Sequence, residues 1–117
     1  MIEYQGKKIY LACGATDMRK SIDGLSMLVQ ESFKLNPFDG AMFVFCNRSR
    51  NRIKILEWDG DGFWLHFKRV EKGRFSWPDD SGGEIMDLTY KELEILIGGT
   101  QLLNKLKRRD IFKIDVA

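Results

Sequence analysis

The sequence predicts a single α+β domain over residues 1–117: an antiparallel β-sheet meander packed with one long N-terminal helix and a shorter C-terminal helix. Three observations predict it. The apolar, β-prone runs 41–47, 52–58 and 63–69 follow one another across short, turn-rich links. Ile22, Leu25, Met27, Leu28, Val29 and Phe33 recur at helical spacing and give one apolar face over residues 18–33. Thr89-x-x-Glu92 is a capping-box pattern ahead of Leu93, Leu96 and Ile97.

Taken in order, residues 4–8 read as a short strand or turn, and Ile9 to Ala12 as a short apolar strand broken by Gly14. Thr16 or Asp17 is placed to cap a helix starting near Met18. Gly24 inside it costs roughly 1 kcal/mol against Ala, and Asn36-Pro37 ends it. Among the three strands, Asp59-Gly-Asp-Gly62 is a strong hairpin signal, and Arg48-Ser-Arg-Asn51 forms the other link. Residues 71–78 read as a linker carrying two buriable aromatics, Phe75 and Trp77, and residues 79–83 as an acidic loop. Ile85 and Met86 suggest a short strand. The capped helix stops at Gly98-Gly99. Leu102, Leu103 and Leu106 suggest further helical turns, and residues 111–116 alternate like a last strand.

A turn on Gly60-Asp61 sets the register. Trp58 then opposes Phe63, Leu56 opposes Leu65, Lys54 opposes Phe67 and Arg52 opposes Arg69. If Asn47 opposes Arg52, Phe45 meets Lys54 and Phe43 meets Leu56. One face then carries the aromatic set with Arg52, Lys54 and Arg69 at one end, and the other carries Val44, Cys46, Ile53, Ile55, Trp64 and His66. Both faces are largely apolar, so the sheet is expected to be covered on both sides or to cover a partner.

Composition excludes several classes. Apolar residues make up 44% and charged residues 31%, with two prolines, which excludes disorder as the main state. No apolar run approaches the roughly 18 residues of a membrane span, and Met1 to Leu11 lacks the apolar core of a signal peptide. A cytoplasmic protein with no membrane partner is expected. Nineteen Lys and Arg against 17 Asp and Glu leave +2, too little to imply a polyanion partner alone. The distribution is more informative. Arg48, Arg50, Arg52 and Lys54 lie together without an acid, Lys68, Arg69, Lys72 and Arg74 flank Glu71, and Lys105, Lys107, Arg108 and Arg109 form a third cluster.

Catalytic chemistry finds little support. His66 is the only histidine and sits mid-strand at an apolar position, where a satisfied structural histidine is favoured over a general base. Cys13 and Cys46 read as reduced core thiols. One histidine and two cysteines fall short of the four ligands of a structural zinc site, so no metal and no cofactor are expected. Asp59-x-Asp61 begins like a calcium loop, but Phe63 takes the fifth position. No phosphate-binding glycine loop is present. The spacing Arg48, Arg50, Arg52, Lys54 points elsewhere: a pleat continued through the link would align these side chains as a ridge for phosphates, and an exposed Phe or Trp beside it is able to stack unpaired bases.

Two long stretches carry a resemblance. They are Tyr10-Leu-Ala-Cys-Gly-Ala-Thr-Asp-Met-Arg-Lys-Ser-Ile-Asp-Gly-Leu25, and Pro37-Phe-Asp-Gly-Ala-Met-Phe-Val-Phe-Cys-Asn-Arg-Ser-Arg-Asn-Arg-Ile-Lys-Ile-Leu-Glu-Trp-Asp-Gly-Asp-Gly-Phe63 continuing to Lys68-Arg-Val-Glu-Lys-Gly-Arg-Phe-Ser-Trp-Pro78. Over residues 9–78 the chain closely resembles the TnpB-type small accessory proteins of the insertion-sequence-66 family of bacterial mobile elements. The resemblance implies a non-enzymatic helper of transposition, encoded beside a larger transposase, with no family catalytic residues to carry over. Ile95-Leu-Ile-Gly-Gly99 departs from the acidic Leu-Glu-Gly ending common in that family.

The expected function is therefore a transposition accessory protein that contacts element DNA or the transposase–DNA complex, with Arg48, Arg50, Arg52, Lys54, Lys68, Arg69 and Arg74 as nucleic-acid-binding residues. The transposase and a sister accessory protein of the same element are the expected protein partners. The alternatives are an adaptor that docks on the transposase without touching DNA and, less favoured, a metal-dependent nuclease built on acid clusters.

Overall fold

The structure, a computed structural model, describes residues 6–79 and 84–98. In chain order it contains β1 (Ile9–Ala12), α1 (Ile22–Glu31), β2 (Met42–Cys46), β3 (Arg52–Trp58), β4 (Phe63–Arg69), β5 (Ile85–Leu88) and α2 (Tyr90–Ile97). The strands form one sheet in the order β4-β3-β2-β1-β5. The third basic cluster and the elements expected at 102–106 and 111–116 lie outside the described residues.

The expected meander is present as β2-β3-β4, with the expected register. Arg52 pairs with Arg69, Lys54 with Phe67, Leu56 with Leu65 and Trp58 with Phe63, while Phe43 meets Leu56 and Phe45 meets Lys54. The sheet as a whole is mixed, however. β1 runs parallel to β2, and β5 is antiparallel to β1. Parallel neighbours need a crossover of roughly a dozen residues or more, and the segment carrying α1 supplies it. Alternation within individual runs leaves this pairing open, because a short buried strand such as Ile9–Ala12 looks alike in either orientation.

The N-terminal helix is a second correction. It is short, 10 residues, with Ser21 as its N-cap in place of Thr16 or Asp17. Asp17 is occupied differently: its carboxylate accepts the backbone N–H of Arg19 at 2.9 Å, and its carbonyl accepts the Lys20 N–H at 3.1 Å, closing a turn before the helix begins. At the other end Lys34 takes a left-handed conformation, φ 56°, and the chain leaves the helix well before Pro37. α2 begins as its sequence indicates. Thr89 Oγ1 accepts the Glu92 N–H at 3.1 Å, and the Glu92 carboxylate accepts the Thr89 N–H at 2.7 Å.

Both faces of the sheet are covered. Leu25 and Val29 of α1 pack on Ala12, Phe43, Phe45 and Leu56. On the opposite face Leu93 of α2 and Phe75 pack on Ile9, Met42, Val44, Ile53 and Ile55. Full burial of each such side chain contributes roughly 1.5–3 kcal/mol. Residues 71–78, expected as a linker, are thus a structural strap: Phe75 is buried, and the Trp77 indole N–H donates to the Ala12 carbonyl at 3.0 Å. Cover thins toward the edge strand β4, where Trp64, Phe67, Lys68 and Arg69 are exposed.

Candidate nucleic-acid interface

The link between β2 and β3 decides how the expected basic residues are distributed. Asn47 organises it. Its side-chain oxygen accepts the N–H groups of Asn51 and Arg52 at 3.0 and 2.9 Å, and its amide donates to the Asn51 side chain at 2.7 Å. Arg50 N–H donates to the Asn47 carbonyl at 3.1 Å, and Arg50 takes φ 61°. The segment is a tight turn, so the pleat does not continue through it and the four cations do not form one ridge.

Arg48 stands exposed on this turn with no partner among the described residues. Arg50 folds inward, its side chain 21% exposed and its Nη2 on the Asp79 carboxylate at 3.1 Å. Its carbonyl accepts the Phe75 N–H, so Arg50 ties the strap to the sheet. The same guanidinium lies beside Cys46. Burial pushes the Cys46 thiol up to about 11 against the smaller opposing pull of Arg50. Lys68 lies on the α2 face and donates to the Ile97 carbonyl at the C-terminal end of α2, where a cation is favourable. Arg74 is exposed just beyond Gly73.

The remaining cations come together on the α1 face. Arg52 and Arg69 are direct cross-strand partners. Next to Arg52 on that face, the Lys54 ammonium donates to the carbonyls of Met18 and Lys20 at 2.8 and 2.9 Å and lies 5.9 Å from the Phe67 ring centroid. Those bonds pin the 17–20 turn over the sheet end. In that turn the Asp17 carboxylate takes Arg19 Nη2 at 2.8 Å and Nε at 3.1 Å, and these bonds hold its carboxyl well below the usual carboxylate range. Asp17, Met18, Arg19, Arg52, Lys54 and Phe67 thereby line an open groove of about 640 Å³. Three cations and one already paired carboxylate leave its lining positive.

The sequence reading selected Arg52, Lys54 and Arg69 but passed over Arg19. The available signal was Arg19 two places after a turn-forming Asp17, which puts a guanidinium on the crossover instead of inside a helix.

The opposite sheet face holds His66. Its Nε2 lies 3.2 Å from the Glu57 carboxylate, which is only 7% exposed and also pairs with the Lys7 ammonium. Burial first, and then the Lys7 charge, hold the His66 imidazole below its ordinary value. Trp64 stacks on it at 6.0 Å, and the Trp64 N–H donates to Asp59 at 2.7 Å, drawing the Asp59 carboxyl down. His66, Glu57 and Lys7 thus form one linked polar cluster on this face, next to the Trp64–Asp59 pair. Among the described residues no group of three or more His, Cys, Asp or Glu side chains is placed to hold a metal ion, and no helix is long and apolar enough to cross a membrane.

Comparison with known proteins adds context. A family model described as IS66 Orf2 like protein matches residues 7–107. The chain is similar to uncharacterized protein y4hO of Sinorhizobium fredii (strain NBRC 101917 / NGR234), 42% identical over 95 residues, covering 81% of this chain and 82% of that one. It is also similar to uncharacterized protein y4jC of the same strain, 29% identical over 107 residues, covering 92% and 90%. No solved structure matches it.

Proposed function

The chain belongs to the IS66 Orf2-like family, and from that membership we propose a non-enzymatic transposition accessory protein that grips the phosphate backbone of element DNA, free or held by the transposase. Family membership supports the accessory role and association with the IS66 transposition machinery. The contact with DNA draws its support from one observation: Arg52 and Arg69 stand opposite each other across two strands, beside the cationic groove. Like charges in that position destabilise a strand pair, and a phosphate between them converts the repulsion into attraction. Arg48 and Arg19 extend the same cationic end. Arg69 and Arg19 keep local carboxylates, Glu71 and Asp17, that a phosphate would displace or share.

Binding should follow counterion release. Neutralising about four phosphates, at Arg19, Arg48, Arg52 and Arg69, gives a log–log salt slope of about −3.6. Titrating an element-end duplex with the full chain across a salt series measures it. No binding at low salt, of the duplex or of either of its separated strands, rejects DNA contact.

A second reading, an adaptor that docks on the transposase, has its own observation. At the far end of the sheet Phe38 remains 51% exposed although its ring meets Trp58 and Phe63 at 5.0 and 5.2 Å. Exposed aromatic clusters of this kind are common anchors of protein interfaces. Co-purification with the transposase that survives nuclease treatment and is lost on Phe38→Ser supports this reading.

A further inference from the structure

Resting on the DNA-contact reading, we propose that the groove beside Phe67 seats an unpaired nucleotide, its base stacked on the Phe67 ring and its flanking phosphates on Arg52 and Arg69, so that the preferred ligand is single-stranded DNA.

Three aromatic side chains are more than half exposed among the described residues, and their surroundings separate them. Trp64, 57% exposed, is stacked on His66 and tied to Asp59 on the α2 face. Phe38 packs on Trp58 and Phe63 beside the acidic hairpin Asp59–Gly62. Phe67, 55% exposed, lines the groove that also holds Arg19, Arg52 and Lys54.

The groove's chemistry fits one nucleotide. It is open and shallow, about 640 Å³, with room for a base laid on one ring face. Phe67 and Met18 supply apolar wall, while Arg52, Lys54 and Arg19 supply charge. Lys54 is held before a ligand arrives, bonded to two backbone carbonyls. Arg19 stands exposed at the rim, its Asp17 pair open to displacement by a phosphate. Phe67 belongs to a strand whose register is set over seven residue pairs.

The ring selects the strand state. In a duplex each base has its faces covered by its neighbours, so a ring on a sheet surface meets base edges and backbone but no free base face unless the stack is opened. An unpaired base offers a free face, and base–aromatic stacking tolerates any sequence because every base has one. A cationic channel with a stacking ring is the general design of single-strand binders.

The test compares a 16-nucleotide oligothymidylate with a duplex of equal length at one salt concentration, using the full chain. The parent is expected to bind the single strand more tightly by about tenfold. Phe67→Leu keeps an apolar side chain at the position and removes the π-face. It should lower single-strand affinity by about tenfold and leave duplex affinity unchanged, and Phe67→Tyr should restore it. Equal binding of the two ligands by the parent, or single-strand affinity unmoved by Phe67→Leu, overturns the nucleotide seat while leaving backbone contact standing. Failure of both ligands to bind overturns both readings.

Discussion

Arg52 and Arg69 are partners across β3 and β4, two guanidinium side chains directly opposed on the α1 face at one end of the sheet. Replacing Arg52 with Gln should therefore act in opposite directions on folding and on binding. Urea unfolding at low salt should show a gain of about 0.2–1 kcal/mol, the usual scale of cross-strand pairs, and the gain should shrink as salt screens the pair. DNA affinity should fall in the same variant. A variant less stable than the parent at low salt, or one that binds DNA as the parent does, contradicts the strained-pair account.

Lys54 is a positioning group as well as a charge. Its ammonium satisfies the Met18 and Lys20 carbonyls and holds the 17–20 turn against the sheet. Lys54→Met keeps the aliphatic length and removes the donors. The expected loss is about 1.5–3 kcal/mol, the range for hydrogen bonds to a charged group. Amide exchange at Lys20, whose N–H donates to the Asp17 carbonyl, should speed up in the variant. Unchanged stability and exchange would show that the turn holds itself.

His66 gives the protein a mild acid sensitivity. Burial lowers its folded-state value below the ordinary 6.5, so the folded protein resists charging it and the unfolded chain does not. The stability this contributes is present above pH 6.5 and is lost as pH falls below it toward the folded-state value. The parent's urea midpoint should drop between pH 7.5 and pH 5.5, and His66→Gln should drop less. Equal drops would mean that other groups carry the acid loss.

Cys46 should be chemically silent. It is fully buried, and its thiol sits near 11, so almost no thiolate exists at pH 8. Iodoacetamide at that pH should label Cys46 only after denaturation, as read by mass spectrometry of the peptide. Native labelling at the rate of a free thiol would contradict the packing around Arg50.

Much of this architecture is legible in the chain. The three runs from 41 to 69 announce themselves by length, β-branched and aromatic content and two tight links, and the Asp59–Gly62 hairpin fixes a register that the hydrogen-bonded pairs reproduce. Thr89 and Glu92 mark their helix start because both halves of a capping box sit in four consecutive residues. What is hidden depends on contacts distant in sequence. The parallel pairing of β1 with β2 follows from which strand edge the crossover reaches. Asp17 serves as a cap or as an Arg19 partner by equally local rules, and the position of Lys54, 37 residues on, accompanies the second outcome. For the candidate site, the pleat rule places Arg52, Lys54 and Arg69 on one face. It fails at Arg50, where a left-handed turn residue sends the guanidinium to Asp79.

The most direct test of DNA contact at this cationic end is the salt dependence of binding in a double variant, Arg52→Gln with Arg69→Gln, against the parent, on the same element-end DNA. The parent should show a log–log slope of about −3.6 and the variant about −1.8, as two of four phosphate contacts are lost. Identical slopes, or a parent that does not bind even at low salt, would contradict the account.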